Sequence, residues 1–209
     1  VFVSTYTRAE TVRLLLGSHI PVIRLNQFES LADIKHNILT VARVTDSLPQ
    51  AKQLISALEQ QQANIEAKVS ERSRPRVLYY NLNNSSDGPD TTIDEMIHLA
   101  GGYNVIRETG IRGSRKVREE LVIGLQPEVI LVSGWNQADG PSPAKQLSNR
   151  PAWKNVPAVI NKRVYNLEGS WLFSVSQFSW QGVGKIAPLL HPDAFCDRTQ
   201  PSCASGKPL

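Results

Sequence analysis

Residues 47–73, SLPQAKQLISALEQQQANIEAKVSERS, form the longest unbroken helical pattern in the chain, and every other segment falls to one side of it. Leu48, Ala51, Ile55, Leu58, Ile65 and Val69 follow helical spacing, with Gln62 the one polar interruption. Lys52, Glu59, Gln60, Glu66 and Lys68 lie on the opposite, wet face. Asp46 or Ser47 can cap the start, and Pro49 stands in the first turn, where a missing N–H costs nothing. At 1.5 Å per residue the helix would be roughly 40 Å long, more than the width of a small domain. It is therefore expected to bridge two bodies. Two or three apolar heptads broken by Gln62 are short for a coiled coil.

Upstream, residues 1–4 are apolar enough for a buried strand, and Thr7-x-x-Glu10 reads as a capping box opening a helix that stops at Gly17. Residues 21–25, PVIRL, make a second strand, so the start of the chain is a βαβ unit with parallel strands. Two strands do not make a stable sheet, and further strands are expected from before Val1 or from another copy. Ser30 caps a helix over 31–44 with Ile34, Ile38, Val41 and Ala42 inward.

Downstream, Pro75 ends a hinge, and the α/β rhythm resumes. Strands are expected over 76–80, 103–106, 128–133 and 163–167, helices over 92–100, 116–125 and 174–190, and polar loops over 81–90 and 134–143. The division is then an incomplete first lobe (1–46), the bridging helix (47–73), a second α/β lobe (74–195) and a tail (196–209). The fold class is α/β, with two lobes on one helix.

The 209 residues are 41% hydrophobic and 20% charged, an ordinary globular balance. No run approaches the ~18 apolar residues of a membrane span. The opening VFVSTYT reads as the inside of a strand, which predicts a processed or truncated piece. A net charge of +4, with only Arg112, Arg115, Lys116 and Arg118 clustered, gives no case for nucleic acid. Cys196 and Cys203 are either a local disulfide or two free thiols.

Two lobes on one helix make a cleft, and ligands of open α/β sheets sit beyond the carboxyl ends of the strands. Thr5 and Tyr6 from the first lobe, with Asn81, Asn83, Trp135 and Trp171 from the second, should face it. Tyr79, Tyr80, Trp135, Trp171 and Phe173 give the strand ends an aromatic character suited to a large ring system or metal chelate. Tyr79 and Phe173 are expected to cover strand tips, and Trp153 and Trp180 to pack. No nucleophile elbow, phosphate loop or zinc motif is present, and the four histidines fall on separate elements.

The run RVLYYN…TTIDEMIHLAGGYNVI…VREELVIGLQPEVILVSGW…RVYNLEGSW…LLHP resembles the second lobe of the class III (helical-backbone) substrate-binding proteins of ABC importers. AETVRLLLGSHIPVIRL and SLADIKHNILTVARVT are similar to the later part of that family's first lobe. The resemblance implies a periplasmic or membrane-tethered receptor for a ferric siderophore, cobalamin or haem, delivering it to a permease with its ATPase. It implies permease docking through Glu120, with Glu119 as the neighbour that would substitute. It places Trp171 and Tyr6 in the cleft, with Tyr80 or Tyr6 as an axial ligand should the cargo be haem. The family's earlier first-lobe segment lies before Val1, and the strand edges this would expose predict dimerisation through the N-terminal segment, which light scattering tests.

A ferric siderophore leads because Arg112, Arg115 and the basic balance suit an anionic chelate. A resident cofactor is not implied, and the carboxylate–histidine clusters of a metal receptor are missing. The reading from another class is a tetrapyrrole metal chelatase, which needs a His–Glu pair on the cleft, and His98 with Glu95 is the close pair. A plain interaction protein is a third, against which the aromatic strand ends weigh.

Overall fold

The computed structural model describes residues 1–133 and 140–196. In chain order the elements are β1 (Phe2–Ser4), α1 (Ala9–Gly17), β2 (Ile23–Leu25), α2 (Leu31–Val44), α3 (Leu48–Val69), β3 (Arg76–Asn81), β4 (Ser85–Asp87), α4 (Thr92–Leu99) and β5 (Tyr103–Asn104). There follow β6 (Ser114–Lys116), α5 (Glu119–Gly124), β7 (Val129–Ser133), α6 (Pro143–Ser148), α7 (Pro157–Ile160), β8 (Val164–Asn166), α8 (Gly169–Leu172), α9 (Phe178–Leu190) and α10 (Pro192–Phe195).

β1 and β2 pair in parallel, Phe2 opposite Ile23. The second sheet has the order β6-β4-β3-β7-β8, with β5 on the first residues of β3. Its central strands are buried on both faces, which is why RVLYY and EVILVS read as continuous apolar runs. Side chains alternate between two cores. Val77, Tyr79, Val129 and Leu131 face α3, α4 and α9, while Leu78, Tyr80, Ile130 and Val132 pack with Val122, Leu147 and Trp153.

The apolar stripe of α3 buries Ala51, Leu58, Ile65 and Val69. Gln62, the polar gap in that stripe, is matched: its Oε1 accepts the indole N–H of buried Trp180 at 3.2 Å. The helix stops at Val69 rather than running to residue 73; a turn over residues 70–72 leads to Pro75, which keeps Arg74 out of helical geometry. Leu31 and Ile34 of α2 belong to the second lobe's core, and the Leu31 N–H donates to the Glu95 carboxylate at 2.6 Å, so α2 is tied to both lobes.

Several local expectations are corrected. Thr7 does not cap α1; Arg8 holds that position without a side-chain bond, and the Thr7 hydroxyl accepts the Ser4 N–H, closing the turn after β1. The capping box lies instead at Ser30 with Asp33. Residues 81–90 are not all loop, and Lys116 does not open a helix. β4 turns back antiparallel to β3 with the Ser86 hydroxyl donating to Tyr79 O, and β6 pairs with β4 through Ser86–Arg115. These strands are polar, so no apolar alternation announced them. The strand expected over 103–106 ends at Asn104 and tightens into a 3-10 turn over Val105–Thr109. The helix expected over 174–190 begins at Phe178, because Ser174 and Ser176 bond to each other and Ser179 donates to Ser174 O, serine hydroxyls competing with helical pairing.

Candidate ligand-binding cleft

β3, β7 and β8 are parallel, so Asn81, Ser133 and Asn166 end them at one edge. There the Ser133 hydroxyl pairs with Tyr79 OH at 2.6 Å and accepts from Asn81 Nδ2 at 3.2 Å. Burial pushes the Tyr79 hydroxyl up to about 12, so this edge is neutral and hydrogen-bonded. Asn83 is exposed at the β3–β4 turn, its N–H donating to Asn81 Oδ1 at 3.0 Å and its Oδ1 accepting the Ser85 hydroxyl at 2.6 Å.

Above Tyr79 stands Phe173, ring centroids 6.5 Å apart and edge-on. Phe173 covers the strand tip as expected, but it is 54% exposed, because the turn after α8 carries it to the surface. Trp171, two residues earlier in α8, is half-buried with the Lys185 ammonium 5.0 Å from its ring centroid. Trp135 lies outside the described residues.

From the first lobe, Tyr6 is 76% exposed and lies 5.8 Å from the ring of Phe28, which follows β2 as Tyr6 follows β1. Phe28 was not singled out in the sequence, although the same strand-end rule selects it. It shares the wall of an apolar cavity of about 410 Å³, between α2 and α3, with Val175–Gln177. The segment just after Phe173 therefore reaches the first lobe beside the Tyr6–Phe28 pair.

Two expected cleft residues are elsewhere. Tyr80 is fully buried on the other face of the sheet, packed on Trp153 at 5.1 Å, its hydroxyl donating to Asn84 at 2.8 Å. The alternation of β3 places it there. Arg112 is not at the strand ends: β4 runs back from Asn81, and beyond it Arg112 forms a two-point ion pair with Asp90, both contacts 2.6 Å.

On α5 the two glutamates part. Glu119 accepts from the Trp153 indole and from Arg150, which hold its carboxyl below the ordinary range, whereas Glu120 is exposed. Cys196 is not a free thiol, and Cys203 lies outside the described residues. The His98–Glu95 pair does not form a catalytic couple: Glu95 accepts the Leu31 N–H, and His98 meets Arg74. Among the described residues no group of three histidine, cysteine or carboxylate side chains is placed to hold a metal, and no helix is long and apolar enough to cross a membrane.

Residues 1–170 match the model for the periplasmic binding protein family. The chain is 22% identical over 193 residues to an uncharacterized ABC transporter substrate-binding lipoprotein, YvrC, of Bacillus subtilis (strain 168), covering 90% of this chain and 59% of that protein. It is 26% identical over 127 residues to a cobalamin-binding protein of Halobacterium salinarum, covering 59% of this chain and 34% of that one. It thus spans under two thirds of the length of these relatives. The fold superposes on the apo form of the periplasmic heme-binding protein RhuT from Roseiflexus sp. RS-1 with a TM-score of 0.81, 23% identity, and 93% of this chain and 76% of that one covered. With its lobes carried on the single helix α3, the chain belongs to the periplasmic binding protein family as a class III substrate-binding protein of ABC importers.

Proposed function

We propose that this receptor captures a large metal chelate between its lobes and presents it to a permease and its ATPase. The family is extracytoplasmic, periplasmic or membrane-tethered, and its members are receptors rather than enzymes. The observation that carries the proposal is aromatic surface at the strand ends of both lobes: exposed Tyr6 beside half-buried Phe28 in the first, and in the second exposed Phe173 edge-on to Tyr79, whose hydroxyl is tied to Ser133 beside Asn81. Flat aromatic faces and a few polar groups suit a large ring with amide edges. A corrinoid is the cargo this surface fits best, in keeping with the Halobacterium relative's name. Of the features that suit an anionic ferric siderophore, Arg112 is already paired with Asp90, while Arg115 and the basic balance stand. Asn83, Trp171 and Trp135 remain ligand residues in this proposal, Glu120 the docking carboxylate, and pairing of a second copy through the N-terminal segment part of it.

Tryptophan fluorescence tests this, because Trp153 and Trp180 are buried and report little on the cleft. Cobalamin, haem, a ferric hydroxamate and a ferric catecholate are titrated against the chain and against Tyr6→Ala and Phe173→Ala. Saturable quenching by cobalamin is expected, weakened about tenfold in each variant through loss of an aromatic contact worth ~1–1.5 kcal/mol. Saturation by a ferric chelate alone would reassign the cargo. No saturation by any of the four would refute the receptor proposal.

A further inference from the structure

A second polar pocket opens at the far end of the second-lobe sheet. Arg74 precedes β3, and Tyr103 pairs with Arg76 at the start of that strand. The six residues of β3 put roughly 17 Å between this end and Asn81 at the cleft. The cavity is about 200 Å³ and is lined by Arg74, Asp94, His98, Tyr103 and Arg107.

Both guanidinium groups are held in place. Arg74 Nη1 donates to His98 O at 3.1 Å and Gly102 O at 3.3 Å, and lies 3.1 Å from His98 Nδ1. Arg107 takes both oxygens of Asp94, at 3.0 and 2.5 Å, and Asn104 donates to the same carboxylate at 2.8 Å. The Asp94 side chain is 5% exposed, so its charge is matched by Arg107 and shielded. Among the described residues no carboxylate lies within ion-pair distance of Arg74. The pocket therefore keeps a net positive charge, with the Arg74 Nε and Nη2 fork and the Tyr103 hydroxyl as further donors. Arg is suited to oxyanions because its planar fork matches two oxygens at once.

We propose that this pocket binds a small oxyanion of the phosphate or phosphomonoester class on Arg74, His98 and Tyr103. Burial, Arg74 and Arg107 lower the His98 pKa against the opposing pull of Asp94 and Glu66, so its imidazole is neutral in the empty pocket. Because Arg74 Nη1 can only donate, His98 Nδ1 accepts and Nε2 carries the proton, so a bound oxyanion takes the Nε2–H and the ring reports it through its carbon-bound protons. The site is separate from the cleft and independent of the cargo proposed there.

The test is an NMR titration of the histidine ring protons of the full chain with inorganic phosphate, against sodium chloride at matched ionic strength. His98 should shift saturably below about 50 mM phosphate, while His19 and His36 do not, and Arg74→Gln should weaken the response about tenfold. Tyr103→Phe, which leaves both arginine anchors intact, should weaken it about threefold and serves if Arg74→Gln does not fold. Sedimentation with phosphatidylglycerol vesicles separates the sources. Vesicle binding abolished by Arg74→Gln assigns the anion to a lipid head group, and saturation without vesicle binding assigns it to a soluble phosphate. No saturable shift, a shift shared equally by His19 and His36, or one unchanged in the folded variants would overturn the proposal.

Discussion

Replacing Gly101 by alanine tests the junction where the bridging helix, the second sheet and the last long helix meet. Gly101 has φ +81°, and a Cβ there would lie 2.6 Å from His191 Nε2 and 2.9 Å from Val69 Cβ. His191 is 7% exposed and donates from that nitrogen to Gly101 O at 3.1 Å, so it has no free direction in which to retreat. A left-handed backbone costs a non-glycine residue roughly 1–2 kcal/mol, and forcing a methyl into a packed site typically another 1–3. Gly101→Ala should therefore lose about 3 kcal/mol, a Tm drop of about 6–12 °C for a chain of this size. Gly110→Ala is the control, with φ +75° and nothing within 4 Å of the added carbon. It should lose only the backbone part, about 1–2 kcal/mol. Urea and thermal denaturation of both variants read the difference. Equal losses would refute the view that His191 and Val69 close this corner.

Two further perturbations follow from the geometry. Burial raises the Glu95 carboxyl above its ordinary range, partly opposed by the Leu31 N–H, so the folded chain holds this proton to higher pH than the unfolded chain does. Its contribution is full below the ordinary carboxylate pKa and falls as pH rises through the raised one. Glu95→Gln keeps an acceptor for Leu31 and should gain in Tm relative to the parent as pH rises above the ordinary carboxylate range; a pH-independent offset would count against this. Glu120→Ala should leave cargo affinity unchanged while reducing stimulation of the permease ATPase by at least about fivefold. An unchanged ATPase with Glu120→Ala, and a loss with Glu119→Gln, would move docking to the neighbouring carboxylate.

Much of the second lobe was legible because its strands are apolar runs buried on both faces and its helices carry period-3.6 stripes, both local properties of the chain. β4 and β6 were not, since SSD and SRK have no apolar alternation and are strands only because β3 offers an edge. Tyr80 and Phe173 show the same limit at the cleft. Strand parity decides that Tyr80 faces Trp153, and a serine-rich turn decides that Phe173 emerges. By itself the sequence determined the bridging helix, the α/β lobes and the aromatic enrichment of the strand ends, because periodicity and burial act over a few residues. Only the tertiary structure decided which aromatics are buried or exposed and which charges are already paired. Those outcomes depend on contacts such as Arg112 with Asp90, Glu95 with Leu31 and Gln62 with Trp180, whose partners are 22, 64 and 118 residues apart.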